Sequence, residues 1–312
     1  MAATFIRPSR LRVGDVIGIV APSTPTDAVL HAQVEQGVAF LRELGFEVRF
    51  APHVGARTLR YAASGAEKAA DLHAMFADPK VKAILCAQGG ATANASLSFL
   101  DWDLIREHPK PFIGISDITV LLNAITTRTG LVTYHGDDLM WGFGRGTTDY
   151  NRSEFLSIFV DGRVGLIPAN RRRTTLRAGT AEGRLWGGNL TCLLKLAGTP
   201  YWPDLDGAIL FLEDIGLEPD RCDCELTQLM HMGIFDRISG ALIGYMDGQD
   251  GSAEPGLTLG DMLLRLTPQH RFPVLKTEDF GHNCPNTVLP VGVLARLDAD
   301  EQSLSLLEAP VG

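Results

Sequence analysis

Cysteine is scarce in this chain, with five in 312 residues: Cys86, Cys192, Cys222, Cys224 and Cys284. An odd count at irregular spacing excludes a disulfide framework and predicts free thiols in a reducing compartment. The tight Cys222-x-Cys224 pair is too close for the usual zinc spacing, so no metal is expected. Positive charge is also short. Lys and Arg number 28 against 37 Asp and Glu, a net charge of -9, and Arg171-Arg172-Arg173 is an isolated triple. That balance argues against nucleic acid or an anionic membrane as a partner. No apolar run is long enough to span a bilayer. The start, Met1 to Pro8, lacks the basic segment and apolar core of a secretory leader, so a cytoplasmic protein is expected. Also absent is a glycine fingerprint after the first apolar run, which continues as Ala21-Pro22-Ser23-Thr24-Pro25. Dinucleotide chemistry is disfavoured, and no cofactor is expected.

What is present is ordinary globular composition, 45% hydrophobic and 21% charged, in a chain long enough for one large or two ordinary domains. The first half alternates strand and helix patterns. Strands are predicted at 16–21, 46–50, 81–87, 112–115 and 131–134. A helix capped by Thr26 or Asp27 runs to Leu44, and a second opens on the capping box Ser64-x-x-Glu67. Two more are predicted at 94–105 and 118–128. This pattern predicts a doubly wound parallel sheet covered on both faces, with ligands at the carboxyl ends of its strands. Periodicity fades between about 142 and 177, which reads as a connector. Beyond it the texture changes to short strands and a few helices, predicting a smaller mixed α+β domain. The expected division is 1–145, 146–178 and 179–312.

Three turns should meet at the sheet edge: Pro22-Ser23-Thr24, Gln88-Gly89-Gly90 and Ser116-Asp117. The run Phe112-Ile113-Gly114-Ile115-Ser116 has the layout of a nucleophile elbow, where a strand-to-helix turn projects a serine hydroxyl. A serine there can equally be a plain helix cap. As a nucleophile it needs a base, and the base needs an orienting acid. Of eight histidines, His135 follows the fifth strand at the same edge. His282 lies in the loop Asp279-Phe280-Gly281-His282-Asn283. The chemistry alone leaves both open. Glu213 and Asp214, ending the strand Ile209-Leu210-Phe211-Leu212, are the best candidates for the acid.

Seven segments in order resemble the LD-carboxypeptidase family of serine peptidases. They are Gly18 to Ser23, Tyr61 with Phe76-Ala77-Asp78-Pro79, and Gln88-Gly89-Gly90. Gly114-Ile115-Ser116-Asp117 and Trp186-Gly187-Gly188-Asn189-Leu190 follow, then Leu212-Glu213-Asp214, then Gly281-His282-Asn283 with Leu289-Pro290-Val291-Gly292. The resemblance implies a flavodoxin-like or Rossmann-like first domain and a Ser–His–Glu triad of Ser116, His282 and Glu213. It also implies an oxyanion hole from the N–H groups of Gly90 and Asp117, and a homodimer. Gly89, Trp186 and His135 are the candidate substrate contacts. The implied substrate is a cytoplasmic murein peptide cut at an L,D-amide bond. The family's second branch, microcin C self-immunity, cuts aminoacyl-nucleotide amides instead. Murein-type members usually carry Gly-Gly-Tyr-Gly where this chain has Gly89-Gly90-Ala91-Thr92, a departure toward the second branch. A non-catalytic two-domain binder of small ligands is the alternative from another class. It leaves Glu213 and His282 without a role.

Overall fold

The computed structural model describes residues 5–26, 31–249, 254 and 256–312. The first half carries five parallel strands: β1 (Val16–Val20), β2 (Glu47–Phe50), β3 (Val81–Cys86), β4 (Phe112–Gly114) and β5 (Thr133–His135). Between them run α1 (His31–Glu43), α2 (Gly65–Ala77), α3 (Trp102–Glu107) and α4 (Thr119–Thr129). The strand order β2-β1-β3-β4-β5 is the flavodoxin-like one. β1 and β3 are almost wholly buried, as a sheet covered on both faces requires. The Ser64 box opens α2 as the spacing predicts: its hydroxyl accepts from the Glu67 N–H while the Glu67 carboxylate accepts from the Ser64 N–H. Of the two caps expected for α1, Asp27 lies outside the described residues, and Thr26 hydrogen-bonds Val54 instead.

The single helix expected at 94–105 is two. A 3₁₀ segment, Ala93–Phe99, stops at Leu100, and α3 starts afresh because the Asp101 carboxylate accepts from the N–H groups of Asp103 and Leu104. The segment expected to be a connector holds α5 (Asp149–Phe159), with Thr148 and Asn151 forming a reciprocal cap. After it come β6 (Gly165–Leu166), β7 (Arg173–Arg177), β8 (Thr180–Asn189), α6 (Leu190–Leu194), β9 (Ile209–Ile215), α7 (Pro219–His231), β10 (Gly240–Asp247), α8 (Leu259–Leu266), β11 (Val274–Gly281), β12 (Leu289–Val291), β13 (Leu294–Asp298) and β14 (Ser303–Leu306).

The second sheet has the order β6-β14-β13-β8-β9-β10-β11-β7 and is mixed. Its centre, β8 to β11, is parallel, and the flanks are antiparallel. β12 does not join it. It crosses to the first sheet and pairs antiparallel with β5, setting Leu289 opposite His135. The last strand of the first sheet therefore comes from the far end of the chain.

The two sheets are also joined through α4. The Asn189 N–H donates to Thr119 Oγ1 at 3.0 Å, and Asn123 Nδ2 donates to the Gly187 carbonyl at 2.8 Å. Gly188 permits this approach: a Cβ there would lie 2.4 Å from Thr119 Oγ1, and its φ of +131° suits glycine. No helix of the described residues is long and apolar enough to cross a membrane.

Candidate active site

Ser116 sits on the turn between β4 and α4 with φ +64°, a left-handed conformation that costs a non-glycine residue about 1–2 kcal/mol. The strain is held by what surrounds the turn. Asp117, the next residue, is fully buried and triply tethered. Its carboxylate accepts from Ser23 Oγ at 2.5 Å, from the Ala93 N–H at 2.7 Å and from Lys195 Nζ at 2.6 Å. The three donors come from the turn after β1, the segment after β3 and the end of α6. One carboxylate thus fastens the turn after β1, the start of the 3₁₀ segment after β3 and its own turn to the second half of the chain.

Gly89 backs the serine directly. A Cβ at that position would lie 2.5 Å from Ser116 Cβ and 2.8 Å from its Oγ, so any side chain there would displace the hydroxyl. Gly90 follows at φ +145°, packed against the Ser23 and Thr24 hydroxyls. The Gln88 amide anchors this turn by donating to the Pro25 carbonyl at 2.8 Å.

His282 lies immediately beyond the end of β11. Gly281 and Asn283 on either side of it both have positive φ, which swings the ring out of the strand direction. Its Nδ1 lies 2.6 Å from Glu213 Oε2. Glu213, on β9, is fully buried. Burial alone would raise its pKa, but the His282 and His135 imidazoles beside it outweigh that and hold it at about 2. For His282, burial is the largest single influence and pushes down, but the Glu213, Asp214 and Asp138 carboxylates together outweigh it, so its pKa is raised.

Ser116 and His282 line one cavity of about 660 Å³, with Gly89 and Gly90 in the same wall. Glu213 stands behind His282, away from the cavity surface. The imidazole just beyond β11 and the carboxylate on β9 are thus in contact, and the Ser116 hydroxyl from the β4–α4 turn shares a cavity with that imidazole. With Nδ1 engaged by Glu213, Nε2 is the histidine nitrogen available to accept a proton.

Two candidate contacts are placed elsewhere. Trp186 is buried in β8 with its ring edge-on to Phe5 at 6.3 Å, and it does not line the cavity. A tryptophan beside two glycines on a buried strand packs; here it offers no stacking face. His135 is also fully buried and off the cavity surface, edge-on to Phe211 and Phe280. Its Nε2 lies 3.8 Å from Glu213 Oε1, and neither atom has a hydrogen-bond partner. It lies beside the acid and off the cavity surface, while His282 lines the cavity that Ser116 lines.

The sequence reading missed a second wall, contributed by residues 137–146. Asp137 accepts from Asn151 Nδ2 at 2.6 Å and Asn286 Nδ2 at 2.8 Å. Asp138 accepts from the N–H groups of Trp141 and Gly142. Burial pushes Asp137 up to about 7 and Asp138 up to about 6. Trp141 Nε1 donates to Gln88 Oε1 at 2.9 Å, and the Arg145 guanidinium lies over the Trp141 ring, 4.1 Å from its centroid. The available signal was position, since these residues directly follow β5 at the ligand-bearing sheet edge. Their glycines and lost periodicity read instead as the start of a connector. Among the described residues no cluster of His, Cys, Asp or Glu is arranged to hold a metal ion.

Comparison with known proteins gives a consistent picture. The model of the LD-carboxypeptidase N-terminal domain matches residues 17–136, and that of the C-terminal domain matches 182–297. A Bacillus subtilis protein named "Probable murein peptide carboxypeptidase" is 34% identical over 98% of this chain and 95% of its own length. The microcin C7 self-immunity protein MccF, solved in complex with glutamyl sulfamoyl guanosine, superposes with TM-score 0.89 at 26% identity, covering 98% of this chain and 99% of that one. Muramoyltetrapeptide carboxypeptidase from Oxalobacter formigenes superposes with TM-score 0.78 at 29% identity, covering 93% and 97%.

Proposed function

The chain belongs to the LD-carboxypeptidase family, and from that footing we propose that it is a serine-type peptidase acting on murein peptides at an L,D-amide bond near their C-terminus. The observation that carries this is the 2.6 Å contact of Glu213 with a histidine that shares the Ser116 cavity. In this reading His282 Nε2 takes the proton from Ser116 Oγ as the hydroxyl attacks the scissile carbonyl. Glu213 fixes the ring and stabilises the imidazolium that forms. The N–H groups of Gly90 and Asp117 receive the oxyanion, a contribution worth about 3–4 kcal/mol per donor in such sites. The imidazolium then protonates the departing amine. Water, activated by the same histidine, releases the acyl group. Asp117 supplies its backbone to this step. Its side chain is the tether that keeps the backbone in place.

A second reading is favoured by the closer superposition on the self-immunity protein, 0.89 against 0.78, together with the missing Gly-Gly-Tyr-Gly. Under it the same residues cut an aminoacyl-sulfamoyl or phosphoramide-linked nucleotide. The test is turnover of an L,D-tetrapeptide and of an aminoacyl-sulfamoyl adenosine by the wild type and by Ser116→Ala. Release of terminal D-alanine, reduced by about 10³-fold or more in Ser116→Ala, is expected. Wild-type turnover in that variant would overturn the serine mechanism.

A further inference from the structure

Arg145 is the one lysine or arginine among the described residues that line the cavity. Of the neighbouring cations, Lys195 is committed to Asp117, Lys68 to Thr92 and Arg173 to Asp279, and Arg171 is exposed outside the cavity lining. Arg145 ends a 3₁₀ turn, Phe143–Arg145, between Gly142 and Gly146. It is held on two sides. The Trp141 ring lies beneath the guanidinium, and Asn283 Oδ1 accepts from Nη1 at 2.7 Å. Asn283 is itself fixed by donating to Asp247 at 2.9 Å. A chain of contacts therefore runs from Gln88, beside the Gly89-Gly90 turn, through Trp141 and Arg145 to Asn283, beside His282. The guanidinium has five N–H donors, and Asn283 engages one of them. The cavity's own carboxylates, Asp137 and Asp138, are buried in the deeper wall while Arg145 is exposed at the rim. The positive end of the cavity is thus the rim nearest the base.

That position matters because the base also serves the leaving group. The imidazolium delivers its proton to the departing nitrogen, so the leaving group lies on the His282 side of the scissile bond and the acyl part lies away from it. We propose that Arg145 is the specificity residue that receives an anionic group on the leaving side, within two bonds of the scissile nitrogen. A C-terminal amino acid presents such a group as its α-carboxylate, which suits a planar guanidinium fork. An acyl-sulfamate presents two sulfonyl oxygens on the sulfur bonded to that nitrogen, which share the negative charge left when its acidic N–H ionises. The shared chemistry is a compact oxyanion. The proposal rests on the hydrolase reading above and adds the substrate feature that the site selects.

The experiment compares an L,D-tetrapeptide bearing a free terminal carboxylate with its C-terminal amide and with an aminoacyl-sulfamoyl adenosine. Wild type and Arg145→Gln are assayed for kcat and KM, and affinities are measured in the Ser116→Ala background with and without Arg145→Gln. The wild type is expected to favour the acid over the amide by about 10- to 100-fold in kcat/KM, mainly through KM. Arg145→Gln should abolish that preference, and Arg145→Lys should keep part of it. A matching loss of affinity for the sulfamoyl adenosine alone would assign the receptor to that anion. The proposal is overturned if Arg145→Gln keeps the wild-type acid-to-amide ratio and the sulfamoyl affinity. An equal fall in kcat on acid and amide with KM unchanged also overturns it, since that is a loop effect through Asn283. If the wild type turns over neither substrate, the hydrolase reading fails, while the binding comparison still decides the role of Arg145.

Discussion

Lys195 Nζ lies 2.6 Å from Asp117 Oδ1, joining the end of α6 to the residue that follows Ser116. The acid is fully buried and the lysine about a quarter exposed. Removing the cation leaves a buried carboxylate with only the Ser23 hydroxyl and the Ala93 N–H.

Lys195→Met should therefore destabilise the fold by about 1–3 kcal/mol, below the 3–5 of a fully buried broken pair because solvent reaches the lysine. Adding Asp117→Asn should recover part of that loss, since the two side chains act as a unit. Urea unfolding of both single variants and the double variant measures this. Strictly additive losses would show that the pair is not coupled.

Glu213 and His282 set opposite limits on pH. Glu213 titrates at about 2 in the fold against an ordinary 4.5, so its contribution to stability is present above 4.5 and is lost as pH falls toward 2. The His282 pKa is raised above its ordinary 6.5, so its contribution is complete below 6.5 and is lost as pH rises through the folded value. A base must be neutral to accept a proton, so the rising limb of kcat/KM should lie above pH 6.5. Glu213→Gln should move that limb to lower pH and cut kcat by about 10³- to 10⁴-fold. A pH–rate profile whose limb stays in place in Glu213→Gln would separate the two residues functionally.

The left-handed backbone of Ser116 predicts a trade of stability against activity. Glycine adopts φ +64° without strain, so Ser116→Gly should gain about 0.5–1 kcal/mol while losing turnover. Denaturant unfolding of Ser116→Gly beside Ser116→Ala reads the backbone effect alone. A Ser116→Gly protein less stable than Ser116→Ala would show that the turn is not strained.

The doubly wound sheet was legible because β1, β3 and β4 are continuous apolar runs separated by helices with recognisable starts. Ser116 was legible for the same reason, as the first polar residue after such a run. The choice between His135 and His282 was not, because both lie at the right edge in one dimension. What separates them is that β5 pairs with β12, which seals His135 inside, while β11 ends at Gly281 and releases His282 into the cavity. The rim from Asp137 to Arg145 escaped because a functional loop has no period to read. α5 escaped because its cap uses Asn151 where a glutamate or glutamine signals the box. The helix predicted through Leu100 shows the reverse error, a propensity that runs on past the Asp101 cap.

β12 gives synthesis a direction. The β5 edge of the first sheet stays open until residue 291 has been added, when nine-tenths of the polypeptide already exists. An N-terminal fragment ending near residue 145 would keep that edge bare and offer it to other chains. The first sheet therefore gains its outer strand only after nearly the whole chain has been made.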